Sequence, residues 1–141
     1  MVSMNTIPVM PALRMIVIIF LAYPFYAVGG ENKHPIPKVV IMDESVEEHQ
    51  SLLGGPPHTL TMQSGLVVIK PGDSIEIHNT ENYEEVLVIL AGVGQMIITD
   101  GPVLNLNVNV IAYCPPYTEH YVTNNGDRPL RYIYLVADTK K

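Results

Sequence analysis

Pro71-Gly72-Asp73-Ser74-Ile75-Glu76-Ile77-His78-Asn79-Thr80 begins the stretch on which the reading of this chain depends. It runs on through Glu81-Asn82-Tyr83-Glu84-Glu85 into Val86-Leu87-Val88-Ile89-Leu90-Ala91-Gly92. Pro71-Gly72-Asp73 is a turn, since these residue types favour the backbone angles that turns require. Ser74 to His78 alternates, which predicts a strand with Ile75 and Ile77 on one face and Glu76 and His78 on the other. Val86 to Leu90 is an unbroken apolar run and predicts a strand buried on both faces. A second stretch reads Ala112-Tyr113-Cys114-Pro115-Pro116-Tyr117-Thr118-Glu119-His120-Tyr121-Val122-Thr123-Asn124, with a Pro-Pro corner between two β segments.

Outward from these stretches the β signal continues. Leu60, Met62 and Leu66 to Ile69 precede the first stretch; Gln95 to Thr99, the hairpin dipeptide Asp100-Gly101 and Leu104 to Tyr113 lie between the two. Leu130 to Val136 follows the turn Asn124-Asn125-Gly126-Asp127. Short strands separated by glycine or proline turns imply an antiparallel sandwich or barrel over residues 59–137, with 138–141 a charged tail. Residues 30–58 are a polar lead-in. Lys38 to Met42 is expected as an edge strand, and Asp43 to Glu48 carries helix-start chemistry that Gly54-Gly55-Pro56-Pro57 cuts short. His34, His49 and His58 have no ligand spacing and are expected as solvated surface residues.

Residues 1–29 stand apart. Arg14 precedes the apolar run Met15 to Tyr23, and Ala27-Val28-Gly29 offers small residues where a signal peptidase reads. A secretory signal peptide is expected, with a secreted or periplasmic product. An uncleaved anchor is the alternative, although the run is short for a spanning helix. Composition narrows the rest. The 141 residues, 48% hydrophobic and 16% charged, suit one compact domain. A net charge of −6 with scattered Lys and Arg gives no footprint for nucleic acid. The single cysteine, Cys114, excludes an internal disulfide framework.

The two stretches resemble the two signature motifs of the cupin superfamily. Gly72, His78, Glu85 and Gly92 fall on the first pattern, G-x5-H-x-H-x(3–4)-E-x6-G. Pro115, His120 and Asn124 fall on the second, G-x5-P-x-G-x2-H-x3-N. Thr80 stands in place of the second histidine, and Asn109 and Tyr117 stand in place of two turn glycines. The resemblance implies a single antiparallel β-barrel, or jelly roll, with His78, Glu85 and His120 pointing inward. Two imidazoles and a carboxylate are suited to a divalent transition metal (Fe, Mn, Ni, Cu or Zn), with coordination positions left open. Glu84 competes with Glu85, but only Glu85 leaves six residues before Gly92. Alternation sends Glu84 toward solvent. Thr80, Glu84, Glu119 and Asn124 are the expected neighbours of the site, with Asn79, Glu84, Glu119 and Asn124 available to orient the histidines. A threonine hydroxyl is a poor ligand, though it can hold a metal-bound water. Cys114 is either a small buried residue or a soft ligand, the former favoured by its strand position. Tyr113, Tyr117 and Tyr121 line the rim or pack.

Two classes of function follow from the resemblance. One is a metal-dependent enzyme of dioxygenase, isomerase or lyase type acting on a small organic substrate. The other is a non-catalytic barrel that binds a small ligand such as a sugar or an organic acid. An apolar edge at Val39 to Met42 leads to the expectation of a homodimer.

Overall fold

The computed structural model describes residues 15–16 and 34–140, so the signal-peptide expectation for residues 1–29 lies, apart from Met15 and Ile16, outside the described residues. Among the described residues there are eleven strands: β1 Met15–Ile16, β2 His49–Gly54, β3 Met62–Ile69, β4 Ser74–Ile75, β5 His78–Asn79, β6 Tyr83–Ala91, β7 Val93–Ile98, β8 Val103–Asn107, β9 Ile111–Cys114, β10 Glu119–Thr123 and β11 Leu130–Asp138. No helix occurs among the described residues. The expected all-β class and jelly-roll architecture are what the chain adopts.

The strands form two sheets. One has the order β1-β4-β10-β7-β8, with β5 also pairing with β10; the other has the order β2-β3-β11-β6-β9. Pairing is antiparallel throughout except between β1 and β4. Alternation sorts each strand into an inner and an outer row. Val67, Ile69, Leu87, Ile89, Leu130 and Tyr132 from one sheet meet Ile75, Met96, Leu106 and Val122 from the other in a single buried cluster. The outer face of β11 is used as well. The Arg131 guanidinium donates to the carbonyls of Asp43, Glu44 and Val46 at 3.3–3.5 Å and holds the lead-in against the sheet.

Four local expectations are corrected. Lys38 to Met42 is not a strand; Val39 is 91% exposed, and the edge of the sheet is β2 instead. The Asp43 carboxylate accepts from the backbone N–H and the hydroxyl of Ser45, at 2.8 and 2.7 Å. That contact makes a tight turn rather than a helix cap, and the chain leaves it extended. The Ser74 to His78 alternation is interrupted, since β4 ends at Ile75 and β5 starts at His78. Ile75 is therefore buried while Ile77 is 52% exposed. The interruption turns His78 inward beside Ile75, with its Nδ1 3.0 Å from the Glu76 carbonyl. The Val86 to Leu90 run is buried on one face only. Leu87 and Ile89 enter the core, Val86 and Val88 are half-buried, and Leu90 is exposed.

The two positions that depart from glycine in the second stretch keep a glycine-like backbone. Asn109 has φ 68° and Tyr117 φ 58°. Both turns survive without the residue that adopts this conformation most readily.

Candidate metal centre

His78 and His120 are direct cross-strand partners on β5 and β10. Their ring centroids lie 4.4 Å apart and the planes are tilted by 58°. Glu85, the third residue of β6, reaches them from the opposite sheet because odd positions of that strand face inward. One donor atom from each of His78, Glu85 and His120 can be chosen so that all three lie within 4.8 Å of one another. His120 and Glu85 are buried and His78 is half-buried.

Each histidine is oriented by the chain around it. The His78 Nδ1–H donates to the Glu76 carbonyl, which turns Nε2 toward the centre. His120 Nδ1 lies 3.4 Å from the Thr118 carbonyl and 3.5 Å from the Cys114 sulfur, so its Nε2 also faces inward. Nε2 of His120 stands 3.1 Å from Glu85 Oε2. The contact is electrostatic and lacks hydrogen-bond alignment, leaving that oxygen buried without a hydrogen-bond donor. A buried carboxylate oxygen in this position calls for a positive charge. Without a metal, a proton on His120 provides it. Burial disfavours the imidazolium, but the Cys114 sulfur and the Glu85 carboxylate outweigh burial and push the His120 pKa up to about 10.

The donors open into a depression also lined by Ile75, Val122, Tyr132 and Tyr134. Its innermost void is about 10 Å³, close to the size of one water or ion, and the whole depression, including its solvent-open part, spans about 280 Å³. Burial and the Glu85 charge raise the pKa of both Tyr132 and Tyr134, so both remain neutral phenols. Two imidazole nitrogens and a carboxylate around an ion-sized void fit a divalent transition metal.

The remaining expected neighbours are placed elsewhere. The Thr80 hydroxyl donates to the Pro115 carbonyl and accepts from the Thr118 N–H, both at 2.9 Å, so it braces the Pro-Pro corner below His120. Glu84 is exposed, with Oε2 3.4 Å from the Tyr113 hydroxyl. Glu119 is exposed and pairs in register with Asn79, whose side chain accepts from the Glu81 N–H. Asn124 is buried and donates to the carbonyls of Ile69 and Arg128, each at 2.8 Å. It organises a turn. The groups that orient the histidines are thus the Glu76 and Thr118 carbonyls and the Cys114 sulfur. Residue types alone do not reveal backbone carbonyls as orienting groups. Tyr132 and Tyr134 were missed as well; their inward alternation on β11 was the available signal.

A family model described as the cupin domain matches residues 65–136. The chain belongs to the cupin family. As a cupin it is 32% identical over 123 residues to oxalate decarboxylase OxdC of Bacillus subtilis (strain 168), an alignment covering 78% of this chain. The chain spans 31% of that relative, about a third of its length. Among solved structures it is similar to a cupin 2 conserved barrel domain protein from Salinispora arenicola CNS-205, with TM-score 0.62, 19% identity, and 74% and 91% of the two chains covered. It is also similar to an RmlC-like cupin family protein with a double-stranded β-helix fold from Methanocaldococcus jannaschii, with TM-score 0.61, 20% identity, and 73% and 92% covered. These two likenesses concern the cupin fold.

Proposed function

We propose that this cupin holds a divalent transition metal on His78, Glu85 and His120 and acts on a small carboxylic acid, in a lyase-type reaction of the decarboxylase kind. The observation that carries the proposal is the buried Glu85 Oε2 beside His120 Nε2, two donor atoms directed at one ion-sized void. Similarity to an oxalate decarboxylase supports a carboxylate substrate.

A bound metal would supply Lewis acidity toward a substrate oxygen. The chain does the rest. His78 and His120 present Nε2 because backbone carbonyls engage their Nδ1 sides, Glu85 balances positive charge, and Ile75 and Val122 exclude water from one wall. Export through residues 1–29 and pairing as a homodimer complete the proposal. The first rests on the apolar run after Arg14 and the second on exposed apolar residues, Val39 and Ile41 in the lead-in and Ile111 on the edge strand β9.

The test is titration of the purified protein with Mn(II), Fe(II), Co(II) and Zn(II), alongside His78→Ala, Glu85→Gln and His120→Ala, with folding followed by circular dichroism. Stoichiometric uptake by the wild type, with loss of more than about a hundredfold in affinity in each variant, is expected. Variants that bind as the wild type does would leave a metal-free binding barrel as the better reading. Release of CO₂ and formate from oxalate by the loaded wild type tests the reaction class.

A further inference from the structure

The inward row of the β2-β3-β11-β6-β9 sheet continues past Glu85 to Tyr134 on β11 and His49 on β2. Tyr134 lies opposite Gly65 in register, and His49 sits two residues from the Gly65 partner Ser51 on the neighbouring strand β2. The two rings stack across Gly65 with centroids 6.1 Å apart and planes within 14°. His49 Nε2 is 3.3 Å from the Tyr134 hydroxyl. Gly65 makes the contact possible, because a Cβ there would stand 2.7 Å from Tyr134 Cε1 and 2.8 Å from His49 Nε2. Tyr134 lines the depression, whereas His49, in contact with it, is exposed. The pair thus connects solvent to the wall of the metal pocket.

We propose that Tyr134 and His49 form a ligand-binding arm of this centre. Tyr134 donates a hydrogen bond to an oxygen of a small carboxylate in the depression, and His49 donates to the Tyr134 oxygen and sets its direction. The inference rests on the metal-centre reading above and adds to it the residues that recognise the ligand. The chemistry of the lining leads to this assignment. Apart from the three donors, the described lining is Ile75, Val122 and two tyrosines, with no Lys or Arg among them. A carboxylate oxygen turned away from the donors therefore needs a neutral O–H donor. Tyr134 supplies one, from a ring on the wall of the depression with its hydroxyl 3.3 Å from His49 Nε2. Tyr134 touches the ligand; His49 is a positioning residue that acts through it.

The experiment uses the full chain loaded with Co(II), with oxalate as the probe and the visible Co(II) spectrum as the readout. Wild type, Tyr134→Phe, His49→Phe and His49→Gln are each titrated with Co(II) and then with oxalate. Tyr134→Phe keeps the ring and its stacking, so folding is preserved. Oxalate affinity should fall about tenfold in Tyr134→Phe and about threefold in His49→Phe, with His49→Gln close to wild type because its amide donates. Co(II) affinity should stay within about twofold across the set, as expected for groups outside the ligand set. Unchanged oxalate affinity in Tyr134→Phe, or a wild type whose Co(II) spectrum ignores millimolar oxalate, overturns the arm while leaving the metal centre standing. Parallel loss of Co(II) and oxalate affinity in Tyr134→Phe also overturns it, since the tyrosine would then support the metal. A wild type that takes up no Co(II) overturns the metal centre and the arm with it.

Discussion

Thr80 puts a hydroxyl where the cupin pattern has an imidazole, and that hydroxyl is committed to the corner that carries His120. Thr80→Val removes one donor and one acceptor from a buried site. Each lost partner costs about 1–3 kcal/mol. A lower thermal midpoint, with weaker metal binding that Thr80→Ser restores, is the expected outcome in parallel melting and titration experiments. Thr80→His would have to abandon both bonds to reach the centre, so it should destabilise the metal-free protein even if it adds a donor. His120 sets the response to pH. Its folded pKa, about 10, lies above the ordinary 6.5, so its contribution to metal-free stability is complete below pH 6.5 and is lost as pH rises through about 10. The metal-free midpoint should therefore fall between pH 7 and about 10. Metal affinity should rise over the same window, because a proton must leave His120 before the metal can bind. Calorimetry in buffers of different ionisation enthalpy measures that released proton. The triad was legible in the sequence because each member holds a fixed place in one of two motifs that resemble the cupin pattern, and that resemblance, not proximity along the chain, brings His120 to His78 and Glu85. The His49–Tyr134 contact was not, because it links residues 85 positions apart through a gap that only the folded sheet makes beside Gly65.

At the scale of elements, turns determine which strands carry the site. Gly92 joins β6 to β7 with φ 78°, and a Cβ there would collide with the Pro129 carbonyl oxygen and lie 2.8 Å from Leu130 Cα. Both objections are backbone, which cannot swing aside. Gly92→Ala should destabilise by more than about 2 kcal/mol, visible in urea melts as a lowered midpoint with unchanged slope. Tyr117 is the converse. It holds φ 58° with its side chain 66% exposed, so Tyr117→Gly should relieve about 1 kcal/mol of left-handed strain and raise the thermal midpoint by a few degrees. Element reading from sequence failed where two segments competed for one edge. Lys38 to Met42 has the β-branched composition of a strand, yet the Asp43–Ser45 turn delivers His49 to Gly54 to that edge instead. It failed again at Glu76 and Ile77, where a break between strands reverses the facing that strict alternation predicts.

For the molecule as a whole, three donors shared between two sheets make metal binding a measure of sheet-to-sheet registry. His78 and His120 belong to one sheet and Glu85 to the other. A metal bound only by the folded barrel adds about 2.7 kcal/mol of stability at a hundredfold excess over its dissociation constant. Calorimetric melting with stoichiometric metal, and again after chelation, should show a midpoint that rises and returns. Association is tested by light scattering at tens of micromolar. A dimer mass is expected for the processed chain, and an intact mass beginning near Gly30 or Glu31 identifies that chain.

Cys114 lends itself to a different use. It is the only thiol in the chain and is fully buried against His120. A soluble disulfide reagent can reach it only while the barrel is open, so the labelling rate counts openings of the fold one molecule at a time. The chain thus carries its own clock for breathing motions, placed beside the centre whose occupancy should slow it. Labelling followed by mass spectrometry, with and without metal, would time those openings in a protein that needs no engineered probe.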